Sequence, residues 1–446
     1  MTSPSTIYKV FQLQESVYAT HIKGYATEIK QPIHLCVLID TSGSMEENNK
    51  LNNVITSLTF LLDHMTSNDY LSVITFNTNA KVKVLNKKLT EEGKTEIKTI
   101  IASLVAGGGT NMSEALQKAS LTFMKDTNCK HCVLLLTDGH ANIGSINPDE
   151  LLLLVKNNIQ IASYTSIGYG TDHNTNLLKS IATEGGGSYN VVSSLEDTAS
   201  VFGDILGGLQ TCIAQNVLIE YPTSSELLTS YAIHNNDVYI GDLQSEADVY
   251  VFSNKQPIGI SGKNLDGSHF IVIPIFDTSS NEQVITAYKR QQVASLMSDI
   301  QKDITVVGIS DEKKDIYREK ITFLQGEIQG MLENEMKDLL LNQLNKCNDI
   351  LDTSPIDLAN VTVLMSQNST AIGTGRGMIS GDAHYGIMSP FANGMQRNIS
   401  TGMRTHAQSV RSQRTLSYED HYELLGSQLE PMPGGLPEGL PEESSY

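Results

Sequence analysis

"VLIDTSGSM", residues Val37–Met45, opens as an apolar run and closes in small hydroxylated residues around one aspartate. The run reads as a buried strand ending at Asp40. Past its end, Ser42 and Ser44 stand on alternate positions, so three oxygen-bearing side chains gather in one loop. A second stretch, "LLLTDGHAN", closes another apolar strand at Asp138. Between the two, "AGGGTNM" delivers Thr110 to the start of a helical stretch.

Working outward, "IHLCVLID", "LSVITF", "HCVLLLTD" and "IQIASYTSIG" are apolar runs without strict alternation, as expected of strands covered on both faces. Helical stretches separate them, among them "NNKLNNVITSLTFLLDHM" and "NMSEALQKASLTFM". Strand and helix alternate over residues 33–209, which predicts an α/β unit built on a doubly wound, mostly parallel sheet. Ligands of such sheets bind beyond the carboxyl ends of the strands, and both aspartates lie at that end.

Residues 213–285 read differently. "NVLIEYP", "ADVYVFSN" and "HFIVIPIF" are short alternating strands with turn residues between them, the pattern of a small antiparallel β-sandwich. The strands of residues 1–32 are expected to join it, so that the α/β unit is an insertion in a β domain. Residues 286–352 turn helical, with Val293, Leu296, Ile300 and Ile304 on one face and Ile321, Leu324, Ile328, Met331, Met336 and Leu339 on another. The break at "GISDEKK" predicts an antiparallel helical pair. Residues 353–446 are rich in Ser, Thr, Asn and Gly and end in "PMPGGLPEGLPEESSY", which predicts a disordered tail. Between Ser366 and Thr415 this tail sets Arg376, Arg397, Arg404, Arg411 and Arg414 against Asp382 alone, a local basic tract suited to docking a partner; "RTLS", ending at Ser417, suits a basophilic kinase.

The chain of 446 residues carries a formal net charge of −19, which argues against nucleic acid or an anionic membrane surface as partner. No apolar stretch is long enough to span a membrane. Five cysteines, an odd number without framework spacing, and a start without a charged-then-apolar leader pattern predict an intracellular, cytoplasmic protein. "CKHC", Cys129–Cys132, has no second pair to complete a zinc site and runs straight into a strand.

Asp40, Ser42, Ser44, Thr110 and Asp138 are all hard oxygen donors. Such a set prefers Mg2+ or Mn2+ to zinc. Taken singly, each has an ordinary explanation as a cap or turn residue; their order at the ends of core strands sets them apart.

D-x-S-x-S, a distant Thr after a Gly-rich turn, and T-D-G closing an apolar strand resemble the metal-ion-dependent adhesion site of von Willebrand factor type A (VWA) domains. The resemblance covers Ile33–Leu209 and takes in "YTSIGYG" and "GGGSYNVVSS". It implies that Ser42, Ser44 and Thr110 coordinate magnesium directly, with Asp40 and Asp138 acting directly or through water. Glu47 and Asn48 stand where an adjacent regulatory metal site would want aspartates. The arrangement is similar to RING-linked and Hint-linked intracellular VWA proteins, but neither a RING nor a Hint module is visible.

The expected function is a magnesium-dependent interaction module that engages an Asp or Glu of a partner protein, and not an enzyme. The alternatives are a metal-dependent hydrolase or phosphotransferase using the same acidic pocket, and a structural scaffold or viral-particle component docking through its tail. Neither a full P-loop nor a G-x-S-x-G turn supports an enzyme.

Overall fold

The computed structural model describes residues 6–27, 31–124, 129–170, 173–192, 195–279, 281–306 and 309–353, with isolated positions 399, 401, 403, 405 and 408. They belong to a unit spanning Met1–Arg404, save 405 and 408, which belong to a second, Thr405–Tyr446. The expected tail, with its basic tract and kinase motif, lies almost wholly outside the described residues, although Ile399 and Met403 are buried.

In chain order the strands are β1 (Ile7–Gln14), β2 (Val17–Lys23), β3 (Ile33–Asp40), β4 (Tyr70–Phe76), β5 (Ala80–Lys88), β6 (Lys130–Thr137), β7 (Ala162–Tyr169), β8 (Gly186–Val192), β9 (Cys212–Glu220), β10 (Leu227–Leu228), β11 (Ala232–His234), β12 (Asp237–Gln244), β13 (Asp248–Ser253), β14 (Gly259–Asn264), β15 (His269–Val272) and β16 (Ile275–Asp277). The helices are α1 (Lys50–His64), α2 (Glu91–Ala102), α3 (Met112–Ser120), α4 (Pro148–Lys156), α5 (Thr175–Glu184), α6 (Leu195–Gln210), α7 (Glu282–Val306), α8 (Asp311–Gln329) and α9 (Glu335–Asp352).

The central sheet has the order β5-β4-β3-β6-β7-β8, parallel except for the antiparallel edge strand β5. Every residue of β3, β6 and β7 is buried, which explains their unbroken apolar runs. Cys36 and Leu38 face α3, α4 and α5, while Leu35, Val37 and Ile39 are buried as well. The sheet is thus covered on both faces. The register sets Ile39 beside Leu136, so that the next residues, Asp40 and Thr137, leave the sheet side by side.

The remaining strands form two five-stranded sheets, β10-β13-β2-β1-β16 and β11-β12-β9-β14-β15. Ile22, Val249 and Val251 of the first pack with Val217, Ile219, Val238 and Ile260 of the second in one core. Pairing is antiparallel except between β1 and β16. β2 pairs with β13 and β9 with β12, so residues 33–209 enter and leave through neighbouring parts of this β domain. A buried ion pair, Lys130–Asp242 at 2.6 Å, joins β6 to β12. Beside it Gly241 passes so close to Gly186 that a side-chain carbon would lie 2.9 Å from the Gly186 Cα.

The break at "GISDEKK" separates α7 from α8, and the stretch after it is itself a helical pair, α8 and α9, on both of which α7 packs through Val293, Leu296, Met297 and Ile300. The stripe read across Met331 and Met336 is interrupted there: α8 ends at Gln329, and Asn334 caps α9 by accepting from the Lys337 amide. None of the five cysteines forms a disulfide.

At the amino ends of β3 and β6, His34 and His131 meet Nδ1 to Nδ1 at 2.8 Å. The Met124 carbonyl, 3.2 Å from His131 Nε2, can only accept, so that nitrogen carries the proton. His131 Nδ1 then accepts from His34 Nδ1, and the Ser72 hydroxyl sits 2.9 Å from His34 Nε2. Burial, reinforced by His131, lowers the His34 pKa to about 3. Burial lowers that of His131 to about 4, against the Met124 hydrogen bond.

Candidate metal centre

Asp40 ends β3 fully buried, and both of its oxygens are occupied. Oδ1 accepts from the Ser42 amide at 2.8 Å, and Oδ2 from the Thr137 hydroxyl at 2.6 Å. Burial raises its pKa to about 6, opposed by the hydrogen bonds of Thr137 and Ser42 and assisted by the neighbouring charge of Asp138. The turn closed by Ser42 opens a 3-10 segment, Gly43–Asn49, anchored by the buried Met45.

From there a chain of oxygens runs across the sheet. Ser42 Oγ lies 3.1 Å from Ser44 Oγ, and Ser44 Oγ donates to Asp138 Oδ1 at 2.8 Å. The second oxygen of Asp138 takes the Lys50 ammonium at 2.5 Å, and that ammonium also reaches the Ser44 carbonyl at 3.4 Å. The Asp138 side chain has no exposed surface.

Thr110 arrives from the third loop. Its amide donates to Asn142 Oδ1 at 2.8 Å, and the Asn142 amide returns a bond to its carbonyl at 3.1 Å. The glycine turn before it is stitched to the first loop, Gly107 donating to the Thr41 carbonyl and Gly43 to that of Gly108. Gly108 has φ +87°, and a side-chain carbon there would press on Thr78 Oγ1 at 2.8 Å. Bare backbone also lies at the centre of the site. A methyl group on Gly139 would sit 3.6 Å from Thr110 Oγ1 and 3.9 Å from Ser44 Oγ, so both hydroxyls face one small space.

All five sequence-predicted residues therefore meet at the carboxyl edge of the central sheet. Thr137, Asn142 and Lys50 were not among them. Thr137 had a signal in its place beside Asp138, and Lys50 in opening a helix whose first turn holds no acid.

Among the described residues no group of three or more His, Cys, Asp or Glu is placed to hold a metal ion. Two carboxylates fall short of that number, so a cation here would depend on hydroxyl oxygens. The donor set fits that demand: Asp40 and Asp138 supply charge, Ser42, Ser44 and Thr110 supply neutral oxygen, and the set suits a hard divalent ion.

Residues 34–205 match the von Willebrand factor type A domain model. Inter-alpha-trypsin inhibitor heavy chain H2 of Sus scrofa is 28% identical over 214 residues, covering 45% of this chain and 23% of that protein. The chain thus spans about a quarter of the length of such relatives. Among solved structures, a von Willebrand factor type A protein from Catenulispora acidiphila superposes with a TM-score of 0.62 at 13% identity, covering 83% of this chain and 97% of its own. The ArnB paralog VWA2 from Sulfolobus acidocaldarius gives 0.52 at 17% identity, covering 82% and 98%. The likeness of fold therefore reaches well beyond the matched domain.

These relatives correct one expectation. The reading of the chain as intracellular and cytoplasmic is overturned, because the inter-alpha-trypsin inhibitor heavy chains it matches are extracellular proteins. An odd number of cysteines and the character of the first residues do not decide a compartment. With the family match over residues 34–205, this chain carries a von Willebrand factor type A domain, set in a fold shared with those two solved structures.

Proposed function

We propose that the VWA domain mediates contacts with a partner protein through Mg2+ or Mn2+ held by Asp40, Ser42, Ser44, Thr110 and Asp138, the contact being made to an Asp or Glu of the partner. The observation that carries this is the continuous path from Ser42 Oγ through Ser44 Oγ to Asp138 Oδ1, with Thr110 Oγ1 beside it at Gly139. A bound ion would offer an open position for a carboxylate, the protein group best matched to a hard cation. The protein's own residues supply the rest. Asp40 fixes the Ser42 turn, and Asn142 and the glycine turn hold Thr110 in place.

Calorimetric titration with MgCl2 and MnCl2 tests the ion. The full chain is expected to bind one ion, and Ser42→Ala/Ser44→Ala protein to lose at least tenfold in affinity. Peptide display against the immobilised chain in magnesium, eluted with chelator, tests the contact. Eluted peptides are expected to share an Asp or Glu whose amide variant no longer binds. Unchanged affinity in the double variant, or peptides without an essential acid, would overturn the corresponding half of the proposal.

A further inference from the structure

We infer that Lys50 is a built-in competitor for the cation: its ammonium holds Asp138 while the site is free of metal, and loading requires it to leave. This rests on the metal reading above and concerns what sets the affinity of that site. Lys50 Nζ contacts Asp138 Oδ2 while Ser44 Oγ takes Oδ1, so both oxygens of the carboxylate are committed. The pair is largely withdrawn from water, with 16% of the Lys50 side chain exposed and none of Asp138. A unit positive charge there is felt strongly by a divalent ion sharing the same carboxylate.

The lysine is also poorly placed for anything else. It is the first residue of α1, where the positive end of the helix dipole disfavours a cation, and no acidic residue in the first turn compensates it. Asp138, brought from a different strand, supplies the compensation.

The start of α1 lacks the side-chain cap that its neighbours have, although the Lys50 amide donates to the Met45 and Glu47 carbonyls. Asn48 and Asn49 both lie in the left-handed region, with φ of 52° and 56°. Asn49, at the capping position of α1, makes no side-chain capping bond. By contrast Thr90, Asn111, Asn147 and Asn174 each accept from a backbone amide at the starts of α2, α3, α4 and α5. With no side-chain cap at Asn49 to break, the ammonium can withdraw while the backbone turn stays in place, its long flexible stem carrying the charge into water. The consequence is a site whose metal affinity is held below what its five oxygen ligands would give, and whose emptying restores an internal ion pair.

Two measurements on the full-length chain test this. In calorimetric titrations with MgCl2 and MnCl2, Lys50→Met is expected to bind at least tenfold more tightly than wild type, and Lys50→Arg, which keeps the charge, to stay near wild type. In amine labelling with reductive methylation, read by peptide mass spectrometry, Lys50 of the wild-type chain is expected to be slow in chelator and several-fold faster in saturating magnesium. Lys98, paired to Asp63 on the surface, serves as the unchanged control. Equal or weaker binding by Lys50→Met with normal binding by wild type overturns this inference alone, and assigns Lys50 to positioning Asp138. A labelling rate indifferent to saturating metal overturns it as well, without relying on any variant folding. Absence of binding by wild type together with Lys50→Met overturns the metal reading and the inference with it.

Discussion

The two ends of the central sheet are built from the same strands and treat buried polarity in opposite ways. At the amino ends of β3 and β6, His34 and His131 donate and accept within a sealed set that includes the Met124 carbonyl and the Ser72 hydroxyl. At the carboxyl ends, 40 and 138 are aspartates, and their neighbours are hydroxyls plus one lysine. The histidine pair itself carries no charge, since the facing Nδ1 atoms share one proton, and the nearby charge of Lys130 is matched by Asp242. The second end is built around charge. The strands thus carry a neutral hydrogen-bonded pair at one end and an acidic, hydroxyl-rich cluster at the other, and the two can be perturbed separately by experiment.

The largest expected effect breaks the sealed end with acid. Both histidines have folded-state pKa values below the unfolded value near 6.5, about 3 and about 4. The unfolded chain therefore binds protons that the folded chain refuses. Stability from this pair is fully present above about pH 6.5 and is lost as pH falls toward the folded values. Urea unfolding midpoints should drop steeply between pH 6.5 and 4, and less steeply in His131→Gln. Identical slopes in the two proteins would mean that the pair does not govern the acid limb.

The next effect falls at the open end. Asp138→Ala removes the carboxylate that both Ser44 and Lys50 engage, and should abolish the heat of metal binding. Wild type should gain thermal stability with added magnesium, by about 2.7 kcal/mol at a hundredfold excess over Kd, and the variant should gain none. Its metal-free midpoint is expected to stay within a few degrees of wild type, because the Lys50 ammonium left without Asp138 can reach water on its flexible stem. A variant that unfolds in the absence of metal would erase the separation between the two ends.

Much of this arrangement is legible in the order of residues. Unbroken apolar runs mark β3, β6 and β7 because both faces of the sheet are covered, and the aspartates at their ends follow from where such runs stop. Edge strand β5 is harder to see. Lys81, Lys83, Lys87 and Lys88 interrupt it, and most of its residues are at least partly exposed, so it lacks the apolar signal of the inner strands. The gap between α8 and α9 hid for a different reason: Met331 and Met336 continue an apolar stripe although Asn334 starts a new helix. Lys50 could not be found by periodicity, because its partner is 88 positions away. Only the folded register of β6 brings the two together.

The smallest effect distinguishes the two arms of the open end. Asn111 accepts from the Glu114 amide and the Ser113 hydroxyl, donates to the Thr78 carbonyl, and its own amide bonds to the Asn77 carbonyl. Replacing it by alanine removes an N-cap and leaves neighbours without partners, which should cost about 1–2 kcal/mol. Asn49 stands at the equivalent place before α1 with no capping bond and a left-handed backbone that glycine adopts freely. Asn49→Gly trades relief of that conformation against a more flexible unfolded chain, and the two should cancel to within about 0.5 kcal/mol. Both values come from urea unfolding in chelator, where no ion masks the difference. If Asn49→Gly were as costly as Asn111→Ala, the arm carrying Ser42, Ser44 and Lys50 would be as firmly held as the arm carrying Thr110. Leaving Asp138 would then require the lysine to break a contact at Asn49.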